Sequence, residues 1–207
     1  MIVHRSDRIL RACHPALQPP RTRIDETVLD LVQASASFDE AFSWLCRAVG
    51  QRLTTPDRLR GAVQARSKMR WRSETVGAIA EIADGVRSAL ELRYVRRVER
   101  AHRLPAARRQ VRIKRGTRTI YIDNLYEAFG VAVELDGRAA HPVAERFQDM
   151  RRDNANAAVG IVTLRYSWAD VTARACDTAS EVAMVFRLRG WDGVPQRCGP
   201  QCRAVIR

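Results

Sequence analysis

Three carboxylates in the second half of the chain have the types and spacing of a cation site. Asp123 closes the alternating segment Thr119-Ile120-Tyr121-Ile122-Asp123, and Glu134 and Asp136 lie within Val131-Ala132-Val133-Glu134-Leu135-Asp136. Side chains alternate along a strand, so Ala132, Glu134 and Asp136 share one face and Val131, Val133 and Leu135 the other. Crowded carboxylates repel each other unless they share a proton or a cation. Hard oxygen ligands suit Mg²⁺ or Mn²⁺, and such an ion can polarise a phosphodiester and activate water for in-line attack. Asp123 alone also reads as a strand-end turn residue, and Asp136 as the Asp of an Asp-Gly turn. Glu134 is harder to dismiss, because an unpaired charge inside an apolar strand is expensive. Glu91, upstream on a helix, sits at the edge of an apolar stripe. It either leans over the strand ends as a fourth acid or is a solvated glutamate paired with a neighbouring arginine.

The elements that must position these acids follow from hydrophobic period and punctuation. Asp84 can cap a helix whose Val86, Leu90, Tyr94 and Val98 recur every four residues, ending near Leu104-Pro105. Residues 110–113 and 119–123 alternate around Lys114-Arg115-Gly116-Thr117-Arg118 as a β-hairpin. A third strand spans Val131–Asp136. A helix over 142–158 is stopped by Gly160, a buried fourth strand spans 161–165, and Thr178 with Glu181 caps a last helix stopped by Gly190. The order α-β-β-β-α-β-α over 84–190 predicts an α/β fold with a mixed sheet. Its third and fourth strands are parallel across the helical crossover.

The first half has helical period throughout. Thr22 with Asp25, Ser37 with Glu40, and Thr55-Pro56-Asp57 read as helix starts, and a fourth helix begins near Ser73. The expected organisation is an irregular basic lead-in (1–21), a helical unit (22–82), an α/β domain (83–192) and a tail (193–207).

The chain has 207 residues and a formal net charge of +13, and Lys68 and Lys114 are the only lysines. An arginine-rich surface favours phosphate contacts and so nucleic acid; the same bias can reflect a GC-rich genome and serve only solubility. No run approaches the roughly 18 apolar residues of a membrane span, and the N-terminus carries charges where a signal peptide is apolar, so a cytoplasmic location is expected. Cys13, Cys46, Cys176, Cys198 and Cys202 are odd in number and scattered, which argues against a disulfide framework. Cys198 and Cys202 offer half of a zinc site, but no second pair has suitable spacing, and the segment reads as a reduced, mobile tail.

Tyr121-Ile122-Asp123-Asn124 and Val133-Glu134-Leu135-Asp136-Gly137-Arg138-Ala139-Ala140-His141, with Arg152-Asp153-Asn154, Gly160 and Leu164-Arg165-Tyr166, form a spaced set. Ser88-Ala89-Leu90-Glu91 and the stretch from Leu104-Pro105 to Gln110 extend it upstream. The set resembles the core of the very-short-patch-repair-like (Vsr-like) endonucleases, a group of the PD-(D/E)XK, restriction-endonuclease-like superfamily, over about residues 84–191. The helical region before it resembles one that joins such domains to a winged helix like that of abortive-infection antitoxins. No winged helix is read here, so the chain is a natural short form or a fragment.

The resemblance implies a restriction-endonuclease-like fold and a Mg²⁺- or Mn²⁺-dependent DNA endonuclease of repair or phage-defence type. Asp123 matches the first metal-binding acid, Glu134 the acid of the second motif, and Glu91 the helix-borne acid; the Leu135 carbonyl would add a ligand. The position usually occupied by lysine is Asp136, as elsewhere in the Vsr-like branch, which leaves the general base open, with His141 the best substitute. An imidazole titrates near neutrality, although His141 beside Pro142 also reads as a surface residue opening a helix. Gln110, Arg112, Lys114, Arg115, Arg138, Arg152 and Arg165 are the expected contacts to DNA. The competing expectation is a non-catalytic DNA-binding regulator of antitoxin type with the same fold. An RNA-acting nuclease is the weaker third reading, since no aromatic single-strand module is present.

Overall fold

A computed structural model of the chain describes the backbone of residues 8–115, 118–136 and 143–204. Two compact units divide it, Met1–Ala89 and Leu90–Arg207.

In the first unit α1 (Ile9–Ala12), α2 (Ile24–Ala34), α3 (Phe38–Gly50), α4 (Pro56–Ala65) and α5 (Arg72–Ala83) follow in series. Their stripes meet in a core that includes Leu29, Val32, Phe42, Leu45, Leu59, Val63 and Ile79, all fully buried. Ser37 and Thr55 cap α3 and α4 through Glu40 N–H and Arg58 N–H, the expected chemistry. The expected cap at Thr22 is not made: α2 begins after Arg23 without a side-chain cap. Asp25 instead accepts from Thr54 and from Arg58, the latter at 3.1 Å, because burial commits its carboxylate to tertiary partners.

The second unit opens with α6 (Ala89–Tyr94), which widens into a π-helical turn over Val95–Arg100. The period-four pattern predicts one regular helix from Asp84. Asp84 instead ends α5, and Gly85 at φ +99° separates the two helices. The sheet comprises β1 (Arg108–Arg115), β2 (Arg118–Tyr126), β3 (Val131–Asp136) and β4 (Val162–Ser167) in that spatial order. β1–β2 and β2–β3 are antiparallel and β3–β4 parallel. The long crossover helix α7 (Val143–Ala157) precedes β4; α8 (Trp168–Thr172) and α9 (Ala175–Leu188) follow it. The chain is therefore α/β with a four-stranded mixed sheet among the described residues, as its pattern predicts. The last helix starts earlier than expected. Ser167 and Asp170 make the capping box, at α8, while Thr178 is buried inside α9 and donates to the Asp170 carbonyl at 2.9 Å.

One core packs Leu90, Tyr94 and Val98 against Tyr126, Val131, Val133, Tyr166, Val182 and Phe186. Alternation along β3 and β4 puts Glu134, Thr163 and Arg165 on the opposite face, where α7 contributes Asn156 to Thr163 (3.0 Å) and Asp153 to Arg165. A buried polar chain threads the core. Tyr94 Oη lies 2.9 Å from Tyr126 Oη, which donates to Glu99 (2.9 Å), and Glu99 also accepts from Arg109 (2.7 Å) and from the Ala107 N–H. At the start of β3, the Arg189 guanidinium donates to the carbonyls of Gly160 (2.6 Å), Phe129 and Gly130. Gly130 has φ +59°, and a Cβ there would meet the Gly160 carbonyl oxygen at 3.1 Å.

The expected mobile tail is packed through residue 204. Cys202 and Ala204 are buried, and the Gln196 N–H donates to the His102 carbonyl at 2.8 Å.

Candidate functional site

The last β2–β3 pair is Asn124↔Val133. Asp123 and Glu134 each stand one residue beyond it on adjacent strands, so their side chains share a face. Asp123 Oδ2 accepts the Leu135 N–H at 3.3 Å, and Oδ1 accepts the Gln110 amide at 3.3 Å. Gln110 adopts φ +51° within β1, an uncommon conformation for a residue other than glycine. It turns the Gln110 side chain toward the acids.

Glu134 is the most perturbed carboxyl of the site. Burial, and then the charge of Asp123, raise its pKa to about 7, with Arg152 and Arg165 opposing. Burial likewise raises that of Asp123, against its hydrogen bonds from Leu135 and Gln110. Glu134 Oε1 is buried and has no hydrogen-bond partner. Two hard, mutually repelling carboxylates with an orphaned buried oxygen fit a divalent cation.

Asp136 continues the Glu134 face, half-buried, and its backbone pairs with Ser167. Glu91 is 8% exposed, buried rather than solvated, and the group of three or more potential metal ligands among the described residues does not join it to Asp123 and Glu134. The described contacts of Asp123 and Glu134 are to other groups. Leu135 supplies its N–H to Asp123 as above, while its side chain packs on the core. His141 and Arg138 lie outside the described residues.

The expected DNA-binding residues sort into two groups. Arg112 and Lys114 are exposed, opposite Tyr121 and Thr119 across the hairpin. Their strand neighbours Val111 and Ile113 pack with Ile122, Leu125 and Ala132, so Arg112 and Lys114 project from the other side of the hairpin. Arg115 pairs with Arg118 at the hairpin's end; its side chain is outside the described residues. Arg152 and Arg165 are instead held by acids. Arg152 lies 4.0 Å from Glu134 and 3.5 Å from Asp149. Arg165 makes two parallel bonds to Asp153, at 2.9 and 3.1 Å. The neighbouring Arg109 has a side chain only 8% exposed, which belongs to the buried Glu99 network rather than to the surface. Asp149, one turn before Asp153 on α7, was not singled out by the sequence, and Asp153 only as part of Arg152-Asp153-Asn154. Their signal was the spacing Asp149, Arg152, Asp153, which places all three on one helix face.

Compared with family models, with curated proteins and with solved structures, the chain matches none.

Proposed function

We propose that the chain is a divalent-metal-dependent endonuclease that hydrolyses phosphodiester bonds in DNA, of restriction-endonuclease-like fold and of defence or repair type. The observation that carries this reading is the Asp123–Glu134 pair, with the buried, unpartnered Glu134 Oε1. In this reading Asp123 and Glu134 hold Mg²⁺ or Mn²⁺, together with the Leu135 carbonyl and Glu91. When bound, the ion polarises the scissile phosphodiester and lowers the pKa of attacking water. Glu134 must release its proton on binding, and its near-neutral pKa allows that at physiological pH. In this reading His141, or Asp136, would take the proton of the attacking water. Arg152, 4.0 Å from Glu134, stands as a cation beside the acids although the motif's lysine position is Asp136. Arg112 and Lys114, with Arg115, Arg138 and Gln110, would track the phosphates, and Arg165 would order the face through Asp153.

The test is nicking of supercoiled plasmid by the purified chain. Cleavage that requires added Mg²⁺ or Mn²⁺ and disappears in Asp123→Asn and Glu134→Gln is expected. DNA binding without cleavage would favour a non-catalytic DNA-binding regulator of antitoxin type. One observation gives that reading weight: Arg152 already faces Glu134 as a counter-cation.

A further inference from the structure

Away from the acid pair, the second unit gathers one imidazole and three thiols. The ligand atoms of His102, Cys176, Cys198 and Cys202 all lie within 4.8 Å of one another. His102 follows the π-helical turn, Cys176 is the second residue of α9, and Cys198 and Cys202 flank a turn in which the Cys202 N–H donates to the Gly199 carbonyl at 3.1 Å.

His102 is fully buried. Its Nδ1 lies 3.0 Å from the Val98 carbonyl, a contact that requires a proton on Nδ1, since a carbonyl only accepts. The neutral ring then carries its lone pair on Nε2. That atom is buried and has no hydrogen-bond partner. A buried acceptor left unmade costs roughly 1–3 kcal/mol, so Nε2 is aimed at something. A histidine whose other nitrogen donates to a backbone carbonyl is also the usual arrangement of a metal ligand.

The sulfur geometry identifies what Nε2 is aimed at. Cys176 Sγ lies 3.6 Å from Cys198 Sγ and 3.7 Å from Cys202 Sγ. A disulfide needs about 2.05 Å, and it would join two sulfurs while leaving the third and the imidazole without a role. Thiolates at about 2.3 Å from a tetrahedral zinc ion stand roughly 3.8 Å apart. Cys202 Sγ accepts the Ala204 N–H at 3.4 Å, which stabilises a thiolate. A set of three sulfurs and one nitrogen suits tetrahedral zinc over the hard cations.

We propose that His102 Nε2 and the thiolates of Cys176, Cys198 and Cys202 bind one zinc ion in a closed, structural Cys₃His site. Binding releases three thiol protons to solvent and changes no oxidation state. No ligand position remains for substrate. The ion ties the end of the π-helical turn, the start of α9 and the segment after Trp191 to one point. Gly193 lets that segment return, since a Cβ there would meet the Trp191 indole at 2.4 Å. The site is independent of the nuclease reading, because its ligands are soft and its elements do not carry Asp123 or Glu134.

The full chain, purified without chelator, is expected to carry one zinc per molecule by inductively coupled plasma mass spectrometry. A mercurial reagent should release it. Before release, Cys13 and Cys46 should be the only thiols open to Ellman's reagent. Replacement by Co²⁺ should give tetrahedral visible bands and near-ultraviolet thiolate-to-cobalt bands. Cys198→Ser, at the exposed ligand, and His102→Asn should fall below stoichiometric zinc. The Co²⁺ bands and metal content of the wild-type chain decide the matter even if a variant fails to fold. Folded wild-type protein without stoichiometric zinc, a disulfide between any two of Cys176, Cys198 and Cys202, or unchanged Co²⁺ bands in Cys198→Ser would overturn the proposal.

Discussion

Asp123 accepts at Oδ2 the N–H of Leu135, the residue next to Glu134, so the first acid of the pair fixes the backbone that carries the second. Asp123→Asn keeps that acceptor and removes the charge. We expect it to abolish cleavage and spare the fold. It should also lower the Glu134 pKa from about 7 toward the ordinary carboxylate range, since the Asp123 charge is the second cause of its elevation. Titration of the Glu134 side chain by NMR in both proteins checks this; an unchanged value would mean that burial alone sets it.

Stability of the metal-free chain should fall as pH rises. Glu134 titrates near 7 in the folded state and near 4.3 in an unfolded chain. Between those values the folded state keeps a proton that the unfolded state has lost. The contribution is complete below about pH 4 and is lost as pH rises through about 7, amounting to at most about 4 kcal/mol. Urea unfolding at pH 5, 6, 7 and 8 in chelator measures it. Mn²⁺ affinity should run the other way, rising by up to about tenfold per pH unit below pH 7 because binding must displace the proton.

Glu91→Gln keeps size and hydrogen bonding and removes charge. Because Glu91 is buried on α6, a role in the metal site predicts weaker Mn²⁺ binding and slower cleavage at little cost in stability. Isothermal calorimetry with Mn²⁺ and thermal unfolding separate the outcomes. Unchanged Mn²⁺ affinity would remove Glu91 from the site.

DNA binding should be chiefly electrostatic. Arg112→Ala and Lys114→Ala should each lower the log–log salt slope by about one while affecting unrelated DNA sequences alike. Arg109→Ala should behave differently. It strips the 2%-exposed Glu99 of its ion-pair partner, and breaking such a buried pair costs about 3–5 kcal/mol. A lower melting temperature with no change in salt slope is the expected signature.

The order of strands and helices was legible because period two and period 3.6 are local properties. The same locality put Glu134 and Asp136 on one face of β3; that Asp123 shares it depends on the Asn124↔Val133 register between strands. The π-helical turn at Val95–Arg100 escaped, since Leu90, Tyr94 and Val98 recur every four residues in either helix type. The separation of Arg109 from Arg112 could not be read from two arginines in one basic run; burial beside Glu99 decides it. His102 and the cysteines were opaque for a further reason. Ligand spacing is informative when two ligands sit in one short loop, as with Cys198 and Cys202. It says nothing when the others arrive from positions 102 and 176.

The Arg189 clamp and the acid pair occupy opposite ends of β3. From Gly130 to Glu134 the strand rises about 13 Å, more than the roughly 8 Å over which exposed charges are felt at physiological salt. Substitutions at the two ends share no partner and should combine additively. β3 can therefore accumulate change at its charged end, under selection for new chemistry, while Arg189 and Gly130 preserve the register of the sheet.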